Sequence, residues 1–398
     1  MILSPFGEAR PPLGARGAIR VLQCFGCVAG RGVGPYVADL VEALPEDEFE
    51  VGLCLSHPRD ALPARLQAFD GPVADRSSSS QRTPRLIGHI RGAVRAFRPH
   101  IVHTHTKPDQ LFARLALGRR SPVRLLSTFH SCFEHYFQAG SRAGAMERRV
   151  FSMALRWFPG HGAASSSAIA AEYERHFPGM GKVAVVWPAA ACPAATLTSE
   201  AARLAFRQGL GLELETLVIL STGALGPWKN QLVLVEALAQ CQAEGCDVHL
   251  LLAGGEETPG YGQLLRERAE ALGIGPLVSV LGVRQDVGDL LAISDVWALT
   301  SRGEGISIAM LEAMAAGLPV VVTPVGDTEA AVKHEQTGLL VPVGDVDATA
   351  GALLRLIGDP GLRAGLGLAA RETIEARFSP QRLAGEYAEL YRSLVADR

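Results

Sequence analysis

The sequence predicts an α/β chain of two doubly wound, Rossmann-like domains, and three observations carry that prediction. Its 398 residues exceed what one ordinary hydrophobic core organises. Short apolar runs alternate with amphipathic helical segments in two series, separated by a linker over Pro193–Ser199. In each series a glycine-bearing loop follows a strand and opens a helix, the place where open parallel sheets bind ligands. A composition of 48% apolar and 20% charged residues agrees with a packed α/β protein.

The first series begins after an extension, residues 1–18. Met1 to Arg20 holds Pro5, Pro11, Pro12 and scattered charges with no apolar core of a leader, so no signal peptide is expected. No apolar run approaches the ~18 residues of a membrane span, and the expected location is the cytoplasm. Ile19 to Gly26 reads as a strand, followed by the loop Gly30-Arg31-Gly32-Val33-Gly34 and a helix over Tyr36–Leu44. A dinucleotide enzyme would end its next strand on an acidic residue. Here Val51 to Leu55 ends in Ser56-His57, which argues against a dehydrogenase. Ser77–Ser80 reads as a loop. Arg85 to Phe97 is an amphipathic helix with Leu86, Ile90, Val94 and Phe97 on one face and Arg91, Arg95 and Arg98 opposite. That basic face is either solvated or a contact for an anionic surface. Pro99 to His105 and Arg124 to His130 read as buried strands, each with histidine at its end: His103 and His105, then His130. Carboxyl strand ends face the binding crevice of a parallel sheet, so these imidazoles are either core hydrogen-bonding groups or site residues. Val183 to Pro188 is the last strand of the first domain.

The second series runs Leu217–Thr222, then Gly223 to Gln231, then a helix to Gln242. Further strands are Val248–Gly255 and Val278–Gly282, with a helix over Tyr261–Leu272 between them. Asp295–Leu299 is a strand that leads into the most informative stretch, Ser301–Val322. Gly303 and Gly305 permit close backbone approach, Ser307 is a good N-cap, Ile308 to Ala316 is helical, and Gly317 with Pro319 ends the helix before the strand Val320-Val321-Val322. Glu304 and Glu312 frame that helix. Both would repel a bound diphosphate, so they suit sugar and ribose hydroxyls; a dipole partner and a solvated face are the plainer alternatives. Asp345-Val346-Asp347 has the form of a metal-binding D-x-D, but its place before a helix predicts an N-cap. The last helix, Pro380 to Val395, is amphipathic through Leu383, Tyr387, Leu390 and Leu394.

Seven cysteines are scattered in mostly apolar surroundings. Cys24-Phe25-Gly26-Cys27 has neither a second pair at zinc spacing nor a helix start behind it, so neither metal nor redox chemistry is expected there. Residues 1–195 carry 23 Lys+Arg against 15 Asp+Glu, and the remainder 15 against 26. A basic first half beside an acidic second half points to an anionic partner such as a membrane surface or a lipid phosphate. No nucleic-acid partner is expected.

The stretch Glu304-Gly305-x-Ser307-(x)4-Glu312-Ala313-Met314-Ala315-x-Gly317-x-Pro319-Val320 resembles the E-x7-E signature of the retaining glycosyltransferases of family four, the glycosyl transferases group 1. Pro99 to His105 and Thr128-Phe129-His130 resemble family segments of the first domain, with His100 where the family has Asp. The resemblance covers roughly residues 19–395. It implies the GT-B architecture: an acceptor-side domain over 19–193, a donor-side domain over 200–375, a cleft between them, and a terminal helix over 376–398 that can cross back to the first domain. It implies transfer of a sugar from a nucleoside-diphosphate sugar to an acceptor hydroxyl, with retention and without a metal or other cofactor. Acceptors compatible with it are a glycan, a lipid-linked sugar in polysaccharide or glycolipid synthesis, or a small molecule, and the enzyme could work at the inner face of the membrane. By the same resemblance Lys229 grips the diphosphate, joined by the backbone around Gly305, Ile306, Ser307 and Ile308, and the segment holding Arg284 contacts the nucleobase. Glu304 serves the donor sugar or an oxocarbenium-like state, and Glu312 the ribose. Gly32 and Gly34 approach the diphosphate from the first domain, His130 contacts the sugar or a reacting oxygen, and His105 lies on the acceptor or sugar side. Two departures stand out: Ala224 replaces a phosphate-gripping arginine, and Ala189-Ala190-Ala191 replaces Asn-Gly after the first domain's last strand. They leave room for a non-catalytic nucleotide- or glycan-binding relative, and a sugar-nucleotide epimerase shares the architecture.

Overall fold

A computed structural model describes residues 17–26, 33–59, 62–75, 85–131, 142–158, 160–177 and 181–396. Gly32, Cys27 and the loop Ser77–Ser80 lie outside the described residues. The chain divides into two compact units, Met1–Ala189 with Pro380–Arg398, and Ala190–Ser379.

The first unit runs β1 (Ile19–Phe25), α1 (Val33–Ala43), β2 (Phe49–Leu55), α2 (Ala64–Gln67), β3 (Val73–Ala74), α3 (Arg85–Phe97), β4 (Ile101–Thr104), α4 (Lys107–Leu117), β5 (Arg124–Phe129), α5 (Arg142–Trp157), β6 (His161–Ala164), α6 (Ser167–His176) and β7 (Val183–Val185). Its seven strands are ordered β3-β2-β1-β4-β5-β6-β7 and every pair is parallel. The chain winds outward from β1 to β3 and returns across β1 to β4. A switch point therefore lies between β1 and β4, where the connections leave in opposite directions and open a crevice at the strand ends. The register sets Gln23 of β1 beside His103 of β4 at that point.

Helix α1 begins at Val33, ahead of the expected Tyr36. Pro35 sits in its first turn, where a missing N–H costs nothing. Helix α5 and strand β6 are not announced by the sequence pattern. The helix carries apolar side chains on two faces, so no single 3.6-residue stripe stands out, and His161-Gly162-Ala163-Ala164 has no β-branched residue. Cys24 lies buried beside Cys54, its register partner on β2.

The second unit runs α7 (Glu200–Gly209), β8 (Leu217–Thr222), α8 (Leu232–Ala243), β9 (Val248–Ala253), α9 (Tyr261–Ala271), β10 (Val278–Gly282), α10 (Val287–Ala292), β11 (Val296–Leu299), α11 (Ile308–Ala315), β12 (Val320–Val322), α12 (Thr328–Ala331), β13 (Leu339–Leu340), α13 (Val346–Gly358) and α14 (Pro360–Arg377). Its parallel sheet, β10-β9-β8-β11-β12-β13, repeats the winding, with the switch between β8 and β11. Asp345 caps α13 by accepting from the Ala348 N–H at 2.8 Å, which accounts for the D-x-D as a helix start.

The final helix, α15 (Pro380–Ala396), belongs to the first unit. Its Leu383, Tyr387, Tyr391 and Leu394 are buried with Tyr36 and Leu40 of α1 and with Val21, Ile101 and Leu126 of the sheet. Leu383 is fully buried. We expect Leu383→Ala to destabilise the first unit by ~2–5 kcal/mol, as large-to-small core substitutions do. Denaturant unfolding followed by a probe in each unit checks this: the second unit's midpoint should stay where it is.

Candidate functional site

In the second unit, two loops leave the sheet at the switch between β8 and β11. The loop after β8 carries Lys229 and the loop after β11 carries Glu304, and the two side chains form an ion pair through Lys229 Nζ and Glu304 Oε1. Both are mostly buried, at 19% and 13% side-chain exposure, so the pair is shielded from solvent more than a surface bridge. Ser301 Oγ donates to the same carboxylate oxygen at 2.7 Å. The backbones are tied as well: the Arg302 N–H donates to the Trp228 carbonyl at 2.8 Å, and Thr300 Oγ1 to the Asn230 carbonyl at 3.0 Å. Asn230 holds φ +54°, a left-handed turn that asparagine tolerates better than most residues.

The glycines of this loop answer to close packing. A Cβ at Gly303 would come within 2.5 Å of the Trp228 ring, and one at Gly326 would run into the carbonyl oxygens of Glu304 and Gly305. The Gly305 carbonyl accepts from the Asp327 N–H at 2.7 Å. Ile306 and Ser307 are buried, and Ser307 caps α11 by accepting from the Met310 N–H at 3.3 Å. Ile308 opens the helix, so its first-turn amides point out of the helix end, where they favour an anion.

Glu312 lies one turn further along α11, half-buried. The structure gives it a neighbour other than Lys229: it raises the pKa of the Cys192 thiol, which burial pushes up first and Arg371 pulls down. Arg284 follows β10 and is engaged with Asp286, Nε to Oδ1 at 2.8 Å. At Ala224 the carbonyl accepts from Gln231 Nε2 at 2.9 Å. Among the described residues no group of three or more His, Cys, Asp or Glu is placed to hold a metal ion.

In the first unit the histidines expected at strand ends meet. His105 Nδ1 lies 3.3 Å from His130 Nε2, and the His105 Nε2 lies 2.8 Å from Gln23 Oε1. His105 is buried with both ring nitrogens engaged, one by His130 and the other by Gln23. His130 itself is half-buried and its ring meets the Tyr36 ring edge-on, 4.7 Å between centroids. Gly34 is buried in the first turn of α1.

Behind these residues hydrogen bonds continue. Gln23 Nε2 donates to Tyr391 OH at 3.0 Å, Tyr391 OH meets His103 Nδ1 at 2.7 Å, and His103 Nε2 meets Thr128 Oγ1 at 2.7 Å. Thr128 Oγ1 then meets Tyr387 OH at 2.8 Å, and Tyr387 OH meets Tyr36 OH at 2.8 Å. His103 is thus a core group, held between β5 and the terminal helix. The sequence reading missed Ser301, Trp228, Gln23 and Tyr391. Gln23 had a signal: one amide inside the apolar run Val21-Leu22-Gln23-Cys24-Phe25 must find partners when buried.

The profile described as "Glycosyltransferase Family 4" matches residues 30–190, and that described as "Glycosyl transferases group 1" matches residues 216–359. A D-inositol 3-phosphate glycosyltransferase of Corynebacterium urealyticum is 30% identical over 332 residues, 79% of this chain and 78% of that one. The chain belongs to glycosyltransferase family 4, the glycosyl transferases group 1. An Escherichia coli UDP-Gal:α-D-GlcNAc-diphosphoundecaprenol α-1,3-galactosyltransferase is 23% identical over 370 residues, 90% of this chain and 92% of its own. Other curated relatives match at 33–35% identity over only 42–47% of their lengths. Among solved structures, HepE of Anabaena in complex with UDP-glucose superposes with a TM-score of 0.75 at 24% identity, covering 94% of this chain and 100% of that one. The two doubly wound units are those of the GT-B fold.

In this glycosyltransferase His130 is kept neutral. Burial pushes its pKa down to about 4, and burial first, then the neighbouring imidazoles, push His105 well below the usual range. A histidine whose folded pKa is depressed binds its proton in the unfolded chain first. Its contribution to stability is therefore complete above the unfolded value of about 6.5 and is lost as pH falls toward 4. Between pH 6.5 and 4.5, wild type should lose more stability in the first unit than His130→Gln does; unfolding midpoints measured across that window check the sign.

Proposed function

We propose that this glycosyltransferase holds a nucleoside-diphosphate sugar on its second unit through Lys229 and the start of α11, and transfers the sugar to an acceptor hydroxyl with retention and without a metal. The observation that carries this reading is the meeting of Lys229 and Glu304, 75 residues apart, at the switch point between β8 and β11.

The chemical difficulty is departure of the nucleoside diphosphate. As the anomeric C–O bond breaks, its electron pair passes to the phosphate oxygen, and a preorganised cation and backbone donors stabilise that growing charge. Lys229 supplies the cation, and the Ile308 and Ala309 amides at the start of α11 supply the donors, with Gly305 and Ile306 giving the backbone its approach. Glu304 neutralises Lys229 while the donor is away. Ser301 holds the carboxylate in place when the phosphates take over the ammonium, which leaves Glu304 to receive sugar hydroxyls and the positive charge that develops at the anomeric carbon. Glu312, one turn along, serves the ribose, and the backbone beside Arg284 the base. Ala224 leaves Lys229 as the main side-chain cation of the β8 loop, so its removal should be severe. On the first unit, His130 serves the acceptor hydroxyl.

We expect Glu312→Ala to weaken UDP or GDP binding about tenfold or more, and Glu304→Ala to lower turnover by about 10² with nucleotide binding little changed. Calorimetry with each nucleotide and sugar-nucleotide kinetics measure both, and EDTA should leave turnover intact. Unchanged binding and turnover in both variants would overturn the assignment. Altered free sugar released without an acceptor would mark an epimerase instead.

The acceptor we infer carries a phosphate. The relatives from Corynebacterium and Escherichia are named for acceptors of that kind, an inositol phosphate and a diphosphoundecaprenol-linked sugar. The basic first half suits such anions. Helix α5 adds a reason to favour the lipid-linked class. Met146, Val150, Met153 and Trp157 recur on one helical stripe and are 65%, 44%, 53% and 59% exposed, beside the exposed Arg148, Arg149 and Arg156. An apolar stripe flanked by arginines fits an anionic bilayer surface, with the rings and methionines among the acyl chains and the guanidinium groups at the phosphates. No helix of the described residues is long and apolar enough to cross a membrane. Co-sedimentation with phosphatidylglycerol vesicles should retain the wild type, and Met153→Ser with Trp157→Ser should release it. Equal binding by the pair of substitutions would remove α5 from the reading.

A further inference from the structure

The hydrogen bonds behind His130 form an unbranched chain, and such a chain has a direction. Each hydroxyl has one proton to donate, and each neutral imidazole has one N–H and one lone pair. Settling one donor therefore settles the rest. Gln23 is the member whose two ends differ chemically: its Oε1 only accepts and its Nε2 only donates.

Oε1 faces His105 Nε2 at 2.8 Å, so that nitrogen carries the His105 proton. The Nδ1 of His105 then holds a lone pair, and His130 Nε2, 3.3 Å away, must supply the N–H between them. The lone pair of His130 is left on Nδ1. The other arm follows from the same amide. Tyr391 accepts from Gln23 Nε2 at 3.0 Å and gives its own proton to His103 Nδ1 at 2.7 Å. His103 Nε2 then donates to Thr128 Oγ1 at 2.7 Å. An amide turned the other way would reverse every bond and place the His130 proton on Nδ1.

We propose that Gln23 is a positioning residue which, through His105, keeps the proton of His130 on Nε2 and presents Nδ1 as a hydrogen-bond acceptor for an incoming hydroxyl. The inference rests on the reading that His130 serves the acceptor. Its own content, the tautomer, is independent of that reading. Burial that holds both imidazoles neutral keeps the tautomer meaningful across the working pH range. Tyr391 anchors the amide from the terminal helix, so α15 takes part in setting the face that His130 offers.

The test uses the full chain labelled with ¹⁵N-histidine, with the His130 ring signals assigned by their loss in His130→Gln. In wild type at pH 7.5, Nδ1 should show a pyridine-type and Nε2 a pyrrole-type shift. Gln23→Leu should give mixed tautomers, with kcat at least about tenfold lower and the donor KM within about twofold. Gln23→Glu, which keeps an acceptor oxygen toward His105, should restore the wild-type tautomer and much of the turnover. Should the leucine variant not fold, Tyr391→Phe frees the anchoring end of the amide and gives the same readout. A proton on Nδ1 in wild type, or an unchanged tautomer in Gln23→Leu, overturns the inference. A tautomer that shifts without any loss of turnover supports it and instead overturns the role given to His130.

Discussion

An ammonium and a carboxylate from two different loops share one partly buried place in the second unit, and the rest of that unit is arranged to make this possible. Lys229 and Glu304 each follow a parallel strand, and those strands are neighbours because the chain changes winding direction between them. Partial burial strengthens their attraction but removes solvation, so the pair needs further hydrogen bonds to be tolerated. Ser301 provides one, and the Arg302 and Thr300 bonds to the opposing loop hold both backbones against drift. The glycines at 303 and 326 matter because Trp228 and the Glu304 carbonyl occupy the space their side chains would need.

The first unit solves a different problem. Its switch point is filled by polar groups inside a hydrophobic core, where each unmade hydrogen bond would cost about 1–3 kcal/mol. Gln23, His103 and His105 come from neighbouring strands and cannot satisfy one another fully. The tyrosines of α15 complete the set, which makes the terminal helix part of the first unit's core both by apolar packing and by hydrogen bonding. A helix separated from the rest of its unit by the 190 residues Ala190–Ser379 is thus bound by the chemistry of that unit's centre.

The two units use their charge differently. In the second unit an ammonium and a carboxylate neutralise each other in one compact pair. The first unit keeps His103, His105 and His130 uncharged by burial and displays arginines outside, on α3 and α5.

Much of this was legible along the chain. Local pattern sufficed for strands such as β8 and β10, for the cap at Ser307 and for the stop at Gly317, because caps and left-handed glycines act within one turn. The long signature from Glu304 to Pro319 was enough to indicate the family, since it combines loop, cap and helix in one register. Helix α5 and strand β6 were hidden, the first by apolar residues on two faces and the second by its small side chains. What the sequence alone determined, then, was the alternation of elements, the loops that carry chemistry and the residue types at their tips. Tertiary structure decided their partners: that Lys229 meets Glu304, that His105 stands behind His130, and that Tyr391 reaches Gln23 from 368 residues away. Those pairings depend on strand order and register, which bring together groups that no local periodicity relates.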